Sequence, residues 1–152
     1  MIKVPLQEIA GYINKPMDAT AWVKIDQDRI NGFADVTMDH QFIHVDEELA
    51  AQTPFGTTIA HGYLTLSMIS HFLGECGVGP ENALMAINYG SDKVRFLQPV
   101  PVNSEIRAQS TLLEVSDKAP GQLLTKTRVN IEIRGQEKPA LVAEILSLFI
   151  LS

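Results

Sequence analysis

The sequence predicts an α+β fold in which an antiparallel sheet wraps around one buried helix. Three observations carry this. Between Ile59 and Leu73 there is no Asp, Glu, Lys or Arg, and Tyr63, Leu64, Leu66, Met68, Ile69, Phe72 and Leu73 fall on every side of a helical wheel, the pattern of a helix enclosed by other elements. After Gly79-Pro80 the apolar period shortens from 3.6 to 2 and stays there, so strands replace helices. The last segment, Ala140 to Leu151, is apolar on both faces, which suits a central strand or a subunit interface. A helix apolar all round and a sheet with one apolar face satisfy each other as packed layers.

The elements follow in order. Leu6, Ile9, Ala10 and Ile13 lie at helical spacing, so a short helix over Pro5 to Ile13 precedes the turn at Asn14-Lys15-Pro16. Ala21 to Ile25 reads as a strand. Asp26 is placed to cap a helix whose stripe is Ile30, Phe33, Ala34 and Thr37. From Met38 to Phe55 the pattern is that of a loop, with a short helix over Glu47 to Gln52 capped by Asp46 and a break at Pro54 and Gly56. The central helix comes next. Asn82 to Tyr89 and Lys93 to Leu97 are strand-like pieces separated by Gly90-Ser91-Asp92, and Pro99 and Pro101 close that stretch. Ser104 to Val115 is a strand. Gln122 to Arg134 alternates most cleanly, with Leu123, Thr125, Thr127, Val129, Ile131 and Ile133 on one face and Lys126, Arg128, Asn130, Glu132 and Arg134 on the other.

Composition narrows the function classes. A chain of 152 residues is one domain of ordinary size, spanning 1–152, and 45% hydrophobic with 20% charged residues is a globular composition. A net charge of −6 with scattered Lys and Arg gives no attraction for phosphate backbones, so nucleic acid is not an expected partner. The uncharged run is interrupted by His61, His71, hydroxyl residues and glycines, which makes it a poor membrane span. A lone Cys76 and a start without a leader-like pattern lead to the expectation of a cytoplasmic protein.

The chemistry concentrates between residues 39 and 62. Asp39 and His44 set a carboxylate and an imidazole at i and i+5 between two helices, the pair an acid/base site needs. Structural roles are available to both: Asp39 as a cap or turn residue, His44 as packing. Gly62, at the head of the central helix, offers a main-chain N–H on the positive end of the helix dipole with no side chain in the way, the donor that a developing oxyanion requires. Asp39, His40, His44 and His61 are also metal-ligand types, but no pair has the helical His-x-x-x-His frame of a zinc enzyme with its glutamate, since Gln41 follows His40, and no metal is expected. Ser67, Ser70 and Cys76 lack a nucleophile elbow or an activating neighbour.

The run Phe33 to Asp46, containing Asp39-His40-Gln41-Phe42-Ile43-His44, resembles the signature of the MaoC-like, or (R)-specific enoyl-CoA hydratase, family. With Pro54-Phe55-Gly56-Thr57-Thr58-Ile59-Ala60-His61-Gly62, Ala86-Ile87-Asn88-Tyr89-Gly90 and Lys93-Val94-Arg95-Phe96 it is similar to the nodulation protein N-like branch. Met38 stands where the broad signature has glycine, and Gln41-Phe42 where it has Asn-Pro. The resemblance implies a hotdog fold, commonly dimeric, and hydration of a trans-2-enoyl thioester of coenzyme A to the (R)-3-hydroxyacyl thioester. It implies that Asp39 and His44 are catalytic and that the Gly62 amide binds the thioester oxygen. Which of the pair is base and which is acid stays open. No cofactor is implied beyond the coenzyme A of the substrate. Gln41 is a candidate for holding the loop, and Phe42, Phe55, Tyr63 and Phe96 are candidates for the acyl pocket or for core. Lys93, Arg95 and Arg107 are candidates for the nucleotide phosphates, with Lys93 and Arg95 on one strand face by alternation, or for solubility. Two other readings are a hotdog thioesterase and a non-catalytic acyl-binding protein.

Overall fold

A computed structural model describes residues 1–152. The chain runs through β1 (Ile2–Val4), a 3-10 helix (Leu6–Tyr12), β2 (Val23–Ile25), α1 (Gln27–Thr37), α2 (Phe42–Val45), α3 (Glu47–Ala50), α4 (Gly62–Cys76), β3 (Val78–Pro80), β4 (Ala83–Phe96), β5 (Ser104–Ala119), β6 (Gln122–Ile133) and β7 (Leu141–Leu151). Five strands form an antiparallel sheet in the order β2-β5-β6-β7-β4, and β1 pairs in parallel with β3. The strand apolar on both faces, β7, is interior to the sheet as its composition requires. Along β6, Leu123, Thr125, Thr127, Val129, Ile131 and Ile133 are all buried, in agreement with the period-2 reading.

Helix starts follow the local chemistry. The Asp26 carboxylate accepts from the Arg29 N–H at 3.0 Å to cap α1, and Asp46 accepts from the Leu49 N–H at 2.9 Å to cap α3, satisfying donors that a helix leaves open at its first turn. The main core joins Ile25, Ile30, Leu64, Ile69 and Phe72 to Ile106, Val129, Ile131 and Leu141, so the sheet closes on α4 from one side. Phe72 is fully buried there. A smaller core of Val4, Ile9, Met17, Val78, Leu112, Leu123 and Phe149 fastens the N-terminal segment over the far end of the sheet. No helix is long and apolar enough to cross a membrane.

Three expectations are corrected. The central helix starts at Gly62, and it is not enclosed on every side: Leu64, Thr65, Ile69, Phe72 and Cys76 are buried, whereas Tyr63, Ser67, Ser70 and His71 are exposed, because the sheet covers one side only. Gly90-Ser91-Asp92 does not end a strand. β4 is continuous across it, and register shifts between Asn88 and Gly90 and between Asp92 and Arg95 absorb the extra residues as bulges. The loop after α1 also holds a helical turn, α2, that contains His44 itself.

Candidate active site

Four segments bring the site together. Met38 ends α1 in the left-handed region, at φ 62° and ψ 21°, a conformation that favours glycine, and this turns the chain sharply into Asp39. The glycine of the broad family signature therefore matches a backbone need that Met38 meets with strain. Gln41 lies at φ −58° and ψ 134° and Phe42 opens α2. Those are the conformations of a residue before proline and of a proline at a first helical position, so the loop keeps the shape that Asn-Pro would impose. The Gln41 carbonyl accepts from the His44 N–H at 2.9 Å.

The segment Thr58 to His61 is held on two sides. The Ile59 N–H donates to the Ile43 carbonyl at 3.1 Å, and the Ala60 N–H donates to the Val100 carbonyl at 2.8 Å. Gln27, on the first turn of α1, joins both halves of the site: its amide donates to the His44 carbonyl at 2.8 Å, and its carbonyl accepts from the Thr58 hydroxyl at 2.6 Å. Thr58 is fully buried, so its hydroxyl depends on that partner.

His44 is buried. Its Nδ1–H donates to the Ile59 carbonyl at 2.7 Å; a carbonyl only accepts, which fixes the tautomer and leaves Nε2 as the bare nitrogen. No protein group engages Nε2, and it is not sealed from solvent. Burial holds the imidazole below the ordinary histidine pKa; the Ile59 carbonyl and the Asp39 carboxylate oppose this, and His61 adds to it. The His61 ring stacks on that of His44 at 3.8 Å, and its Nε2–H donates to the Asp39 main-chain carbonyl at 2.9 Å.

His44 and Gly62 line one cavity of about 330 Å³ together with Ile59, Ala60, Thr65 and Phe96, a volume in the range of small-ligand sites. The Gly62 N–H makes no hydrogen bond outside the helix and, at the first helical position, has none within it. A Cβ on Gly62 would meet the Phe96 ring at 3.0 Å, so glycine lets the ring lie against the helix head. Asp39 is exposed and outside the lining, but its carboxylate and one ring nitrogen each of His44 and His61 lie within 4.8 Å of one another. Those are metal-ligand types at ligand-like spacing. His44 Nδ1 and His61 Nε2 are committed to carbonyls, and of the two ring nitrogens left, His61 Nδ1 is sealed from solvent.

The other sequence candidates separate. The Gln41 side chain engages no protein group and lies outside the cavity lining; its contribution is its backbone. Phe96 lines the cavity, but Phe42, Phe55 and Tyr63 do not. Lys93 and Arg95 do not follow simple alternation, because a bulge falls between Asp92 and Arg95 and Lys93 takes φ 48°. Lys93 is turned to the buried Glu144 carboxylate at 3.3 Å, which Arg128 also reaches at 3.3 Å. Arg107 is committed to Glu132 at 2.7 Å and stacks on Trp22. Arg95 has no acidic partner and donates only to the Val94 carbonyl. Gln27 and His61 are site residues whose roles the sequence reading did not assign; the available signal was a polar side chain at each end of an apolar stripe, which burial obliges to find a partner.

The curled antiparallel sheet packed on one long helix, with a histidine-lined cavity at the helix head, defines the hotdog class of α+β proteins. The chain belongs to the family described as MaoC like domain, which matches residues 8–134. It is 44% identical over 137 residues to 3-hydroxyacyl-thioester dehydratase Z of Mycobacterium tuberculosis, covering 90% of each chain. It is 39% identical over 151 residues to nodulation protein N of Rhizobium leguminosarum bv. viciae, covering 97% of this chain and 92% of the relative. The solved structure of a monoamine oxidase regulatory protein from Archaeoglobus fulgidus has the same fold, with a TM-score of 0.81 and 22% identity over 100% of this chain and 97% of that one.

Proposed function

We propose that the protein catalyses the reversible hydration of a trans-2-enoyl-CoA to the (R)-3-hydroxyacyl-CoA. The observation that carries this reading is that His44, with Nε2 bare, and the unengaged Gly62 N–H line one cavity, while the Asp39 carboxylate lies within 4.8 Å of a His44 ring nitrogen just outside the lining. The Mycobacterium relative is named for dehydration of a 3-hydroxyacyl thioester, the same reaction in the opposite direction. The (R) configuration is the one implied by the likeness of the Asp39 to His44 segment to (R)-specific hydratases.

The chemistry has two demands. Negative charge builds on the thioester oxygen as water adds to the β-carbon. The Gly62 N–H meets it, a type of donor whose loss costs ~3–4 kcal/mol of transition-state stabilisation. Water is a poor nucleophile, so Asp39 and His44 hold it against the β-carbon, take its proton as the C–O bond forms, and return a proton to the α-carbon. Two groups on one water titrate as a unit. No metal or redox group takes part in this scheme.

Arg95, the cation of its strand without an acidic partner, is the proposed contact for the nucleotide phosphates. The working form is proposed to be a homodimer in the cytoplasm, paired through β4. Replacing Asp39 with Asn tests the mechanism: hydration of crotonyl-CoA, followed as loss of enoyl absorbance, is expected to fall by at least about a hundredfold with the circular dichroism spectrum unchanged. Near-normal turnover would remove Asp39 from the mechanism, and release of free thiol by the unsubstituted protein would point to a thioesterase.

A further inference from the structure

Asp39 poses a positioning problem. Its carboxylate accepts no hydrogen bond from the protein, it is exposed, and it follows the strained turn at Met38. Nothing holds the acid by its own side chain, so its place in the site depends on how its backbone is tethered. That tether is His61, whose Nε2–H reaches the Asp39 carbonyl at 2.9 Å from 22 residues away. The neighbouring residues are held by the exposed His40–Asp35 contact at 2.9 Å and by the His44 N–H on the Gln41 carbonyl at 2.9 Å, neither of which touches Asp39 itself.

The same ring supports the second reactive group. His61 is 2% exposed, stacks on His44 at 3.8 Å with 26° between planes, and is backed by Phe33 of α1 at 5.0 Å. His44 is pinned at one nitrogen only, by Ile59, and a ring pinned at one atom can still tilt. The stack removes that freedom. The remaining nitrogen of His61, Nδ1, is sealed from solvent with no hydrogen-bond partner. Buried polar atoms are ordinarily satisfied, so the contacts this ring does make are its one donor and its flat face.

We infer that His61 is a positioning residue of the hydration site: it holds Asp39 by the main-chain carbonyl and braces the His44 ring, so that both groups address one water. This rests on the hydratase reading for its consequence, although the tether and the brace are properties of the folded chain. The ionisable groups facing His44 are Asp39, on the loop after α1, and His61, at the head of α4; the rest of the cavity lining, Ile59, Ala60, Gly62, Thr65, Phe96 to Val100 and Ala140, carries none.

Two substitutions separate the two roles. His61→Phe keeps a flat ring and loses the donor, whereas His61→Gln keeps an amide donor for the Asp39 carbonyl and loses the ring. With crotonyl-CoA, kcat is expected to fall about a hundredfold in His61→Phe and about tenfold in His61→Gln, the scale of ångström-sized misplacement, with KM within about threefold because neither change touches the cavity lining. A role confined to stability would lower the melting temperature and leave kcat of the folded variants in place, and it would give no advantage to the variant that keeps the donor. Nitrogen-15 imidazole spectra are expected to report His44 as the Nδ1–H and His61 as the Nε2–H tautomer in the unsubstituted protein, and the His44 ring signals are expected to broaden in His61→Gln, where the flat face is gone. Unchanged kcat in folded His61→Phe, or His61 found as the Nδ1–H tautomer, overturns the inference. Should His61→Phe not fold, the tautomer of His61 and the kcat of His61→Gln decide it. Absence of any enoyl-CoA hydration by the unsubstituted protein would overturn the hydratase reading, while the spectra would still decide the tether and the brace.

Discussion

The direction of the hydrogen bond at His44 decides the pH behaviour of the site. Because the Ile59 carbonyl at 2.7 Å requires a proton on Nδ1, the other nitrogen, which the proposed mechanism gives to the water, is bare only while the ring is neutral. Burial keeps it neutral to lower pH than an ordinary histidine. The expected profile of kcat/KM is therefore flat through neutral pH and falls only below the ordinary histidine range. A limb centred above that range would contradict the assignment. Stability has the same sign. The unfolded chain, with an ordinary pKa, takes up its proton at higher pH than the folded one. His44 thus contributes nothing adverse above the unfolded value, and between the two values stability drops as pH drops. Melting temperature measured across mildly acid pH checks this, and it is expected to decline over that window less steeply in His44→Gln. At this scale Asp39, His44 and Gly62 stood out in the sequence as candidates by residue type, position and likeness to the family signature, and the structure puts His44 and Gly62 on one cavity with Asp39 beside it. His61 and Gln27 did not, because each acts on a main-chain carbonyl, 22 and 17 residues away, and a carbonyl leaves no mark in the residue alphabet.

Two elements turn on backbone conformations that the residue pattern does not display. At the end of α1, Met38 sits at φ 62° with its side chain in solvent. A side chain in the left-handed region costs ~1–2 kcal/mol, and glycine returns part of that gain as extra freedom in the unfolded chain. Met38→Gly is accordingly expected to stabilise the protein by ~0.5–1 kcal/mol in denaturant titration and to leave kcat unchanged, since no contact is lost; destabilisation would mean that the Met38 side chain contributes something beyond its backbone. On β4 the bulge between Asp92 and Arg95 divides two lysine and arginine positions that alternation had placed together. Lys93 is drawn to Glu144, a carboxyl that burial alone would push up and that the hydrogen bonds from Lys93 and Arg128 hold down. Lys93→Ala is expected to lower the melting temperature and leave the KM for acyl-CoA unchanged. Arg95→Glu is expected to do the reverse, raising KM about three- to tenfold, on the order of the 1 kcal/mol of one exposed charge pair. Equal effects on KM would return Lys93 to the binding surface. The helices and the alternation of β6 were legible because caps and periodicity are written in side chains. The bulges were not, because the Gly90-Ser91-Asp92 sequence that bends a strand is the same that ends one.

For the molecule as a whole, the surface left bare is as informative as the core. β4 is the last strand of the sheet, so one of its edges has no partner, and it is 14 residues long. Leu84, Met85, Ile87 and Tyr89 on it are exposed, as is Tyr63 on the open side of α4. A long edge strand with apolar side chains invites pairing with another chain. A second copy is the natural partner, because an antiparallel strand laid against itself about a twofold axis presents the same residues from both sides. β4 ends at Phe96, whose ring rests against Gly62 in the cavity wall, so fixing β4 by pairing would fix that part of the wall. Sedimentation of the unsubstituted protein is accordingly expected to give the mass of two chains. Ile87→Glu, which places like charges across the twofold axis, is expected to give the mass of one, with circular dichroism retained and kcat/KM reduced. A monomeric unsubstituted protein with full activity would separate the site from the strand edge and leave the apolar row on β4 without this explanation.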